Sequence, residues 1–293
     1  MIRILLSKSV SIMVISALIL VGCTASSAAT GSDSNLENTS LSTTIPSASP
    51  SPVPPKMPTG EGVVWNLVVI GDSSLWELGD ALAKQIQKDV GVEVVLKDFA
   101  LPTLSAGIVL EQLETGQSAN YNLKGLNDAV KEAEVVVLFI NPNDSIDPKK
   151  PLDMEGCFGI SMPKSCEMET FAKYTEDMTA IWAKIIELRA GQPTILRGTD
   201  LYNPLVDQWN RNGTFEACSA CWEHLSDAAR QAAEAYHIPF LSRYDSFNGE
   251  AHLDDPGEKG YIRSDGLHPT ALACEFTAEL LSEMGYEPVI ISE

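Results

Sequence analysis

Three short polar motifs in this chain hold residue types that together could open a carbonyl-centred bond. Gly71-Asp72-Ser73-Ser74 offers a serine hydroxyl two residues after a glycine. Ser264-Asp265-Gly266-Leu267-His268-Pro269 sets a carboxylate three residues before an imidazole. Between them, Asn141-Pro142-Asn143-Asp144 supplies side-chain amides. A serine is a weak nucleophile until a base takes its proton. His268 can do so through one ring nitrogen while Asp265 holds the other and stabilises the imidazolium. An amide such as that of Asn143 can donate to the developing oxyanion, a contact worth about 10²–10³-fold in rate. Each motif alone has a plainer explanation. Asp72 and Ser73 suit a helix cap, Asp265 suits a loop cap, and Asn-Pro-Asn-Asp suits a turn. Position in the fold is what separates the two readings.

The elements that must position them are legible as runs. Val63–Ile70 is nearly all apolar, as a strand buried on both faces of a parallel sheet should be. Val92–Leu96, Val135–Ile140, Thr194–Leu196 and Ile238–Leu241 read as further strands. Leu75, Leu78, Leu82 and Ile86 recur at helical spacing within Leu75–Val90. Further helices are expected around Ile108–Leu113, Leu126–Ala133, Phe171–Leu188, Glu216–Tyr236 and Thr270–Met284. Strand and helix alternate, which predicts a five-stranded parallel sheet inside a three-layer α/β/α sandwich of flavodoxin-like type. In such a fold, ligands bind outside the carboxyl ends of the strands, here after Ile70, Leu96, Ile140 and Leu196. The Ser73 motif follows the first strand, the Asn143 motif follows the third, and the His268 motif precedes the last helix. All three are therefore expected at one edge. The turn bearing Ser73 leads into a helix, whose free N–H groups and positive dipole end also favour an oxyanion.

In this order the motifs resemble those of the SGNH (GDSL-type) hydrolases. Gly71-Asp72-Ser73 matches that family's first block, which carries the nucleophile. Asp265-Gly266-Leu267-His268-Pro269 matches its fifth, which carries the acid and base. The third block, Gly-x-Asn-Asp, is met with Asn141 in place of the glycine and Asn143 as the oxyanion asparagine. The second block departs: Thr103 stands where the family has a glycine that lends a backbone N–H. A threonine keeps that N–H, and its β-branched side chain restricts the loop and narrows the pocket. The resemblance implies a serine esterase or deacetylase without metal or cofactor, with Ser73, His268 and Asp265 as triad. The oxyanion hole would then come from Ser73, Asn143 and Thr103. Ser74 is the rival nucleophile, and the family position favours Ser73. The changes at Thr103 and Asn141 motivate an alternative, a surface glycan-binding lipoprotein with a weakened cleft.

The N-terminus reads as an export signal. Basic Arg3 and Lys8 precede an apolar run from Val10 to Val21, too short for a comfortable membrane span. That run ends in Leu20-Val21-Gly22-Cys23, which resembles the bacterial lipobox. Residues 1–22 are then a lipoprotein signal peptide, and acyl chains on Cys23 would hold the protein at a membrane surface. Residues 23–60 are rich in Ser, Thr, Ala and Pro, with too little apolar surface to offset ordering entropy, and read as a disordered stalk. Residues 61–293 are of a size for one domain. The net charge of −20 argues against nucleic acid or anionic lipid as a partner of the folded part. Six cysteines include Cys23. Export permits disulfides. Cys157 and Cys166 bracket a short Gly- and Pro-containing loop and are expected to pair. Either Cys218 and Cys221 then bridge locally or one of them reaches Cys274.

Overall fold

The computed structural model describes residues 56–102, 104–118, 123–140, 142, 157 and 168–289. Five strands, β1 (Val64–Gly71), β2 (Glu93–Ala100), β3 (Val135–Phe139), β4 (Ile195–Thr199) and β5 (Phe240–Leu241), form one sheet in the order β2-β1-β3-β4-β5. Every pairing is parallel. Parallel neighbours need crossovers, and helices supply them on both faces. The helices are α1 (Leu78–Val90), α2 (Ala106–Thr115), α3 (Leu126–Glu132), α4 (Ala172–Arg189), α5 (Val206–Asn212), α6 (Phe215–Glu234), α7 (Arg243–Asn248) and α8 (Ala271–Glu283).

Strand β1 shows why the sheet sits in the middle. Its side chains alternate between faces: Val68 and Ile70 join the core under α2, α3, α4 and α6. Trp65, Leu67 and Val69 join the core under α1 and α8. A strand with two apolar faces can lie only between two layers of helices. The expected three-layer sandwich is therefore the observed one.

Two expectations shift in detail. Strands β2 and β4 run further than their apolar runs suggest, through Lys97-Asp98-Phe99-Ala100 and Arg197-Gly198-Thr199. β2 is an edge strand whose face is partly open, so polar residues fit there. The carboxyl edge accordingly lies after Ala100 and Thr199. In addition, the short helices α5 and α7 fall in segments with no helical period long enough to read.

The cysteine pairing is corrected. Cys157 bridges Cys218, 61 residues away in sequence, rather than Cys166. Cys221 is likewise in a disulfide, and Cys274 is free and buried. Cys218 and Cys221 lie three apart on the continuous helix α6, where their Cβ atoms stand about 5–6 Å apart. A disulfide needs about 3.5–4.5 Å, so a local bridge would have to break the helix. Cys23 and Cys166 lie outside the described residues.

Candidate active site

The turn after β1 is built around a close approach. A side chain at Gly71 would collide with the Phe139 carbonyl of β3 and the Leu75 side chain, so only glycine lets β1 end there. Asp72 then caps a single 3-10 turn, Ser73–Leu75, with Oδ1 accepting from the Ser74 amide at 2.8 Å. Asp72 is buried, and burial raises its pKa; the bonds from Ser74 and the charges of Arg243 and His268 oppose that rise. Ser73 itself is half-buried. Its hydroxyl and its amide N–H have no hydrogen-bond partner among the described residues. Ser74 is different. It is buried, and Arg243 engages both its carbonyl (2.8 Å) and its hydroxyl (3.2 Å). Of the two serines, Ser73 is the one left available.

The second half of the site is the loop before α8. An antiparallel bridge between Ile262 and Pro269 closes its base, and the Arg263 amide donates to the His268 carbonyl at 2.9 Å. Within it, Asp265 Oδ1 accepts the amides of Leu267 (2.9 Å) and His268 (3.0 Å), an Asx turn that needs Gly266 at φ +76°. The other carboxylate oxygen, Oδ2, lies 2.9 Å from His268 Nδ1. The backbone bond from His268 leads the set of interactions holding the Asp265 pKa down at about 2. An ionised carboxylate only accepts, so Nδ1 carries the proton and Nε2 is left as the acceptor. Pro269 closes the loop rather than opening the helix; Thr270 is the N-cap, its Oγ1 accepting from Ala273.

Aromatic packing brings the halves together. Trp76, three residues after Ser73, stacks on the His268 imidazole with centroids 4.6 Å apart and planes 15° apart. On the far side, the Tyr202 hydroxyl donates to the Leu267 carbonyl at 2.9 Å. That stacking sets the Asp265–His268 loop beside the turn that carries Ser73. Asn143 and Thr103, expected to complete an oxyanion hole, lie outside the described residues.

Sequence reasoning passed over three buried polar residues beneath this edge: Asp200, Tyr202 and Arg243. Asp200 follows β4 and accepts the Arg243 amide (2.5 Å), the Tyr244 amide (3.0 Å) and the Ser242 hydroxyl (2.8 Å). The Ser226 hydroxyl bonds it as well. The one available signal was position, since each directly follows a strand or lies within three residues of one's end.

No protein-family model and no curated protein matches the chain. Among solved structures it is similar to the lipase Lip_vut3 from a goat rumen metagenome, at 20% identity and a TM-score of 0.52. That match covers 76% of this chain and 98% of the lipase. The acetyl xylan esterase Axe2 of Geobacillus stearothermophilus aligns at 15% identity and a TM-score of 0.49, over 80% of this chain and 99% of the other. A lipase/acylhydrolase from Enterococcus faecalis aligns at 16% and 0.48, over 78% and 100%. The likeness to Lip_vut3 shows a shared fold, a five-stranded parallel sheet between helices, which is the architecture the resemblance implied.

Proposed function

We propose that this chain is a serine ester hydrolase of the SGNH type. The observation that carries the reading is the Asp265–His268 pair, hydrogen-bonded at 2.9 Å and stacked against the Ser73 turn through Trp76. With Nδ1 tied to Asp265, His268 Nε2 accepts the Ser73 proton as Oγ attacks the ester carbonyl. The unspent Ser73 amide, the Asn143 side chain and the Thr103 amide receive the oxyanion. His268 returns the proton to the departing alkoxide. Water then repeats the sequence on the acyl-serine, with His268 again as base. A hydroxyl that is unpartnered without substrate accords with this scheme, because catalytic hydrogen bonds often tighten only when substrate binds. The substrate proposed is an extracellular ester of a carbohydrate or a lipid.

The anchoring reading stands beside it. Residues 1–22 would be removed as a lipoprotein signal, Cys23 would carry the lipid, and 24–60 would space the catalytic domain from the membrane. The Cys157–Cys218 disulfide supports an oxidising compartment.

The test is turnover of p-nitrophenyl acetate and longer acyl esters, together with labelling by a fluorophosphonate. Ser73→Ala is expected to lose on the order of 10⁶-fold in kcat, the loss typical of removing a triad nucleophile, and to lose labelling. Labelling retained by Ser73→Ala would reassign the nucleophile. Absence of both labelling and turnover in folded wild type would favour the glycan-binding alternative.

A further inference from the structure

Arg243 opens α7 at the far side of the sheet from Ser73, yet its side chain ends under the Ser73 turn. It is 2% exposed. Nε donates to the Asp200 carbonyl at 2.7 Å, Nη1 to the Ser74 carbonyl at 2.8 Å, and Nη2 to the Ser74 hydroxyl at 3.2 Å. Among the described residues the guanidinium makes no ion pair. Buried cations are ordinarily paired with a carboxylate, because removing a charge from water is costly. The nearby charges of Asp200 and Asp72 offset part of that cost without direct contact, and the guanidinium donors go to Ser74 and to the Asp200 carbonyl. The guanidinium also lies over two rings, Phe139 at 5.6 Å and Tyr202 at 5.4 Å. Tyr202 in turn bonds the carbonyl of Leu267, the residue before His268.

We infer that Arg243 and Tyr202 act as one positioning unit for the hydrolytic site. Arg243 holds the Ser73 turn by the carbonyl and hydroxyl of Ser74, and Tyr202 holds His268 by the Leu267 carbonyl. The contact between guanidinium and phenol sets one against the other. The inference rests on the hydrolase reading for its kinetic consequence and on geometry alone for its structural one. The nucleophile turn and the acid–base loop are 189 to 197 residues apart in sequence, taking Leu75–Ser264 and Ser73–Thr270 as the extremes. Trp76 on His268 and the Arg263–Glu77 pair join them at the surface, and the Arg243–Tyr202 contact adds a buried link beneath. Lysine would supply it only in part, since one ammonium lacks the planar fork that reaches Ser74 and Asp200 together.

The experiment is a double-mutant cycle read in two ways: kcat and KM on a short-chain ester, and amide hydrogen exchange at 73–76 and 266–268. Arg243→Met is expected to lower kcat about 100-fold, as small displacements of reacting groups do, with KM changed no more than about twofold. Arg243→Lys recovers part of that loss. Tyr202→Phe, which keeps the ring, lowers kcat about tenfold, and the double variant falls short of the product of the singles because the sites are coupled. Exchange should quicken in both segments in either single variant, while α4 and α6 keep wild-type protection. A folded Arg243→Met with unchanged kcat overturns the inference and leaves the hydrolase reading intact. Multiplicative single effects overturn the pairing. If wild type hydrolyses no ester, the hydrolase reading falls and exchange decides the positioning role, since unchanged exchange at 266–268 in Arg243→Met refutes it. If Arg243→Met does not fold, Ser74→Ala and Tyr202→Phe carry the same comparison.

Discussion

Two arginines lie between the Ser73 turn and the Asp265–His268 loop, one beneath the site and one on its rim. Arg243 is buried, donates to Ser74 and lies over Tyr202. Arg263 lies in the loop itself, its side chain 34% exposed; Nη2 meets Glu77 Oε1 at 2.7 Å, and Nε donates to the Pro269 carbonyl at 2.7 Å. The contact lists look alike, but the physics differs. In water an ion pair at contact gains little, because solvent screens it and two long side chains must be held still. Under the sheet edge the same donors act in a poorly polarisable medium, and losing one leaves buried acceptors without a partner. The floor of the site should therefore carry stability as well as geometry. The rim should carry chemistry with little effect on stability.

Asp265→Asn tests that division most severely. Asp265 is on the rim, with its side chain 46% exposed, yet it fixes the His268 tautomer. Asparagine can present an N–H to Nδ1 and select the wrong tautomer, so kcat should fall on the order of 10³–10⁴-fold. The melting temperature should move by no more than about 3 °C, because an exposed pair contributes little. The pH dependence has a definite sign. The folded pKa of about 2 lies below the ordinary 3.8, so the contribution of Asp265 to stability is fully present above the ordinary value and is lost as pH falls through about 2. Its carboxylate is ionised throughout the neutral range, and the ratio of wild-type to variant kcat should be equal at pH 6 and pH 8. A ratio that changes tenfold between them would show Asp265 titrating there. A collapse in stability would erase the distinction between rim and floor.

Asp200→Ala is the converse case. Asp200 is fully buried below the edge and bonds two backbone amides and two hydroxyls as well as facing the charge of Arg243. Burial raises its pKa, against the pull of those partners. Removing it strands the four donors and takes away a charge that offsets that of Arg243, and unfolding by urea should show a loss of about 3–5 kcal/mol. A loss under about 1 kcal/mol would mean that the floor is no more structural than the rim.

The two regions also differ in how they appear in sequence. Ser73, Asp265 and His268 sit in contiguous motifs whose local turns are set by their own residues: Asp72 caps, Asp265 folds back on its own amides, and Gly71 and Gly266 meet backbone demands. Strands β1 and β3 are equally plain, since five or more consecutive buried positions leave an apolar run. Arg243 has no such signature. Its partner Ser74 is 169 residues away, and nothing local distinguishes it from an exposed arginine opening a short helix. The Cys157–Cys218 bridge was hidden for the same reason, because α6 turns Cys218 toward a loop distant in sequence and proximity along the chain suggested Cys166. Local chemistry was readable; contacts made by folding were not.

The smallest effect expected is at Glu77, and here opposing terms decide the sign. Glu77 has φ +64°, a left-handed conformation that costs a non-glycine residue about 1–2 kcal/mol, and its carboxylate holds Arg263 at 2.7 Å on the surface. Glu77→Gln keeps the backbone cost and removes the ion pair, so stability should fall by no more than about 0.5 kcal/mol, less at high salt. Glu77→Gly also removes the pair but relieves the left-handed strain, against an unfolded-chain entropy penalty of about 0.4–1 kcal/mol. With about 1–2 kcal/mol recovered, about 0.4–1 kcal/mol lost and the ion pair absent from both, the glycine variant should be at least as stable as the glutamine variant in urea unfolding. If instead Glu77→Gln alone costs more than about 2 kcal/mol, the rim bridge is shielded from solvent in a way its exposure does not suggest, and the contrast between Arg263 and Arg243 would dissolve.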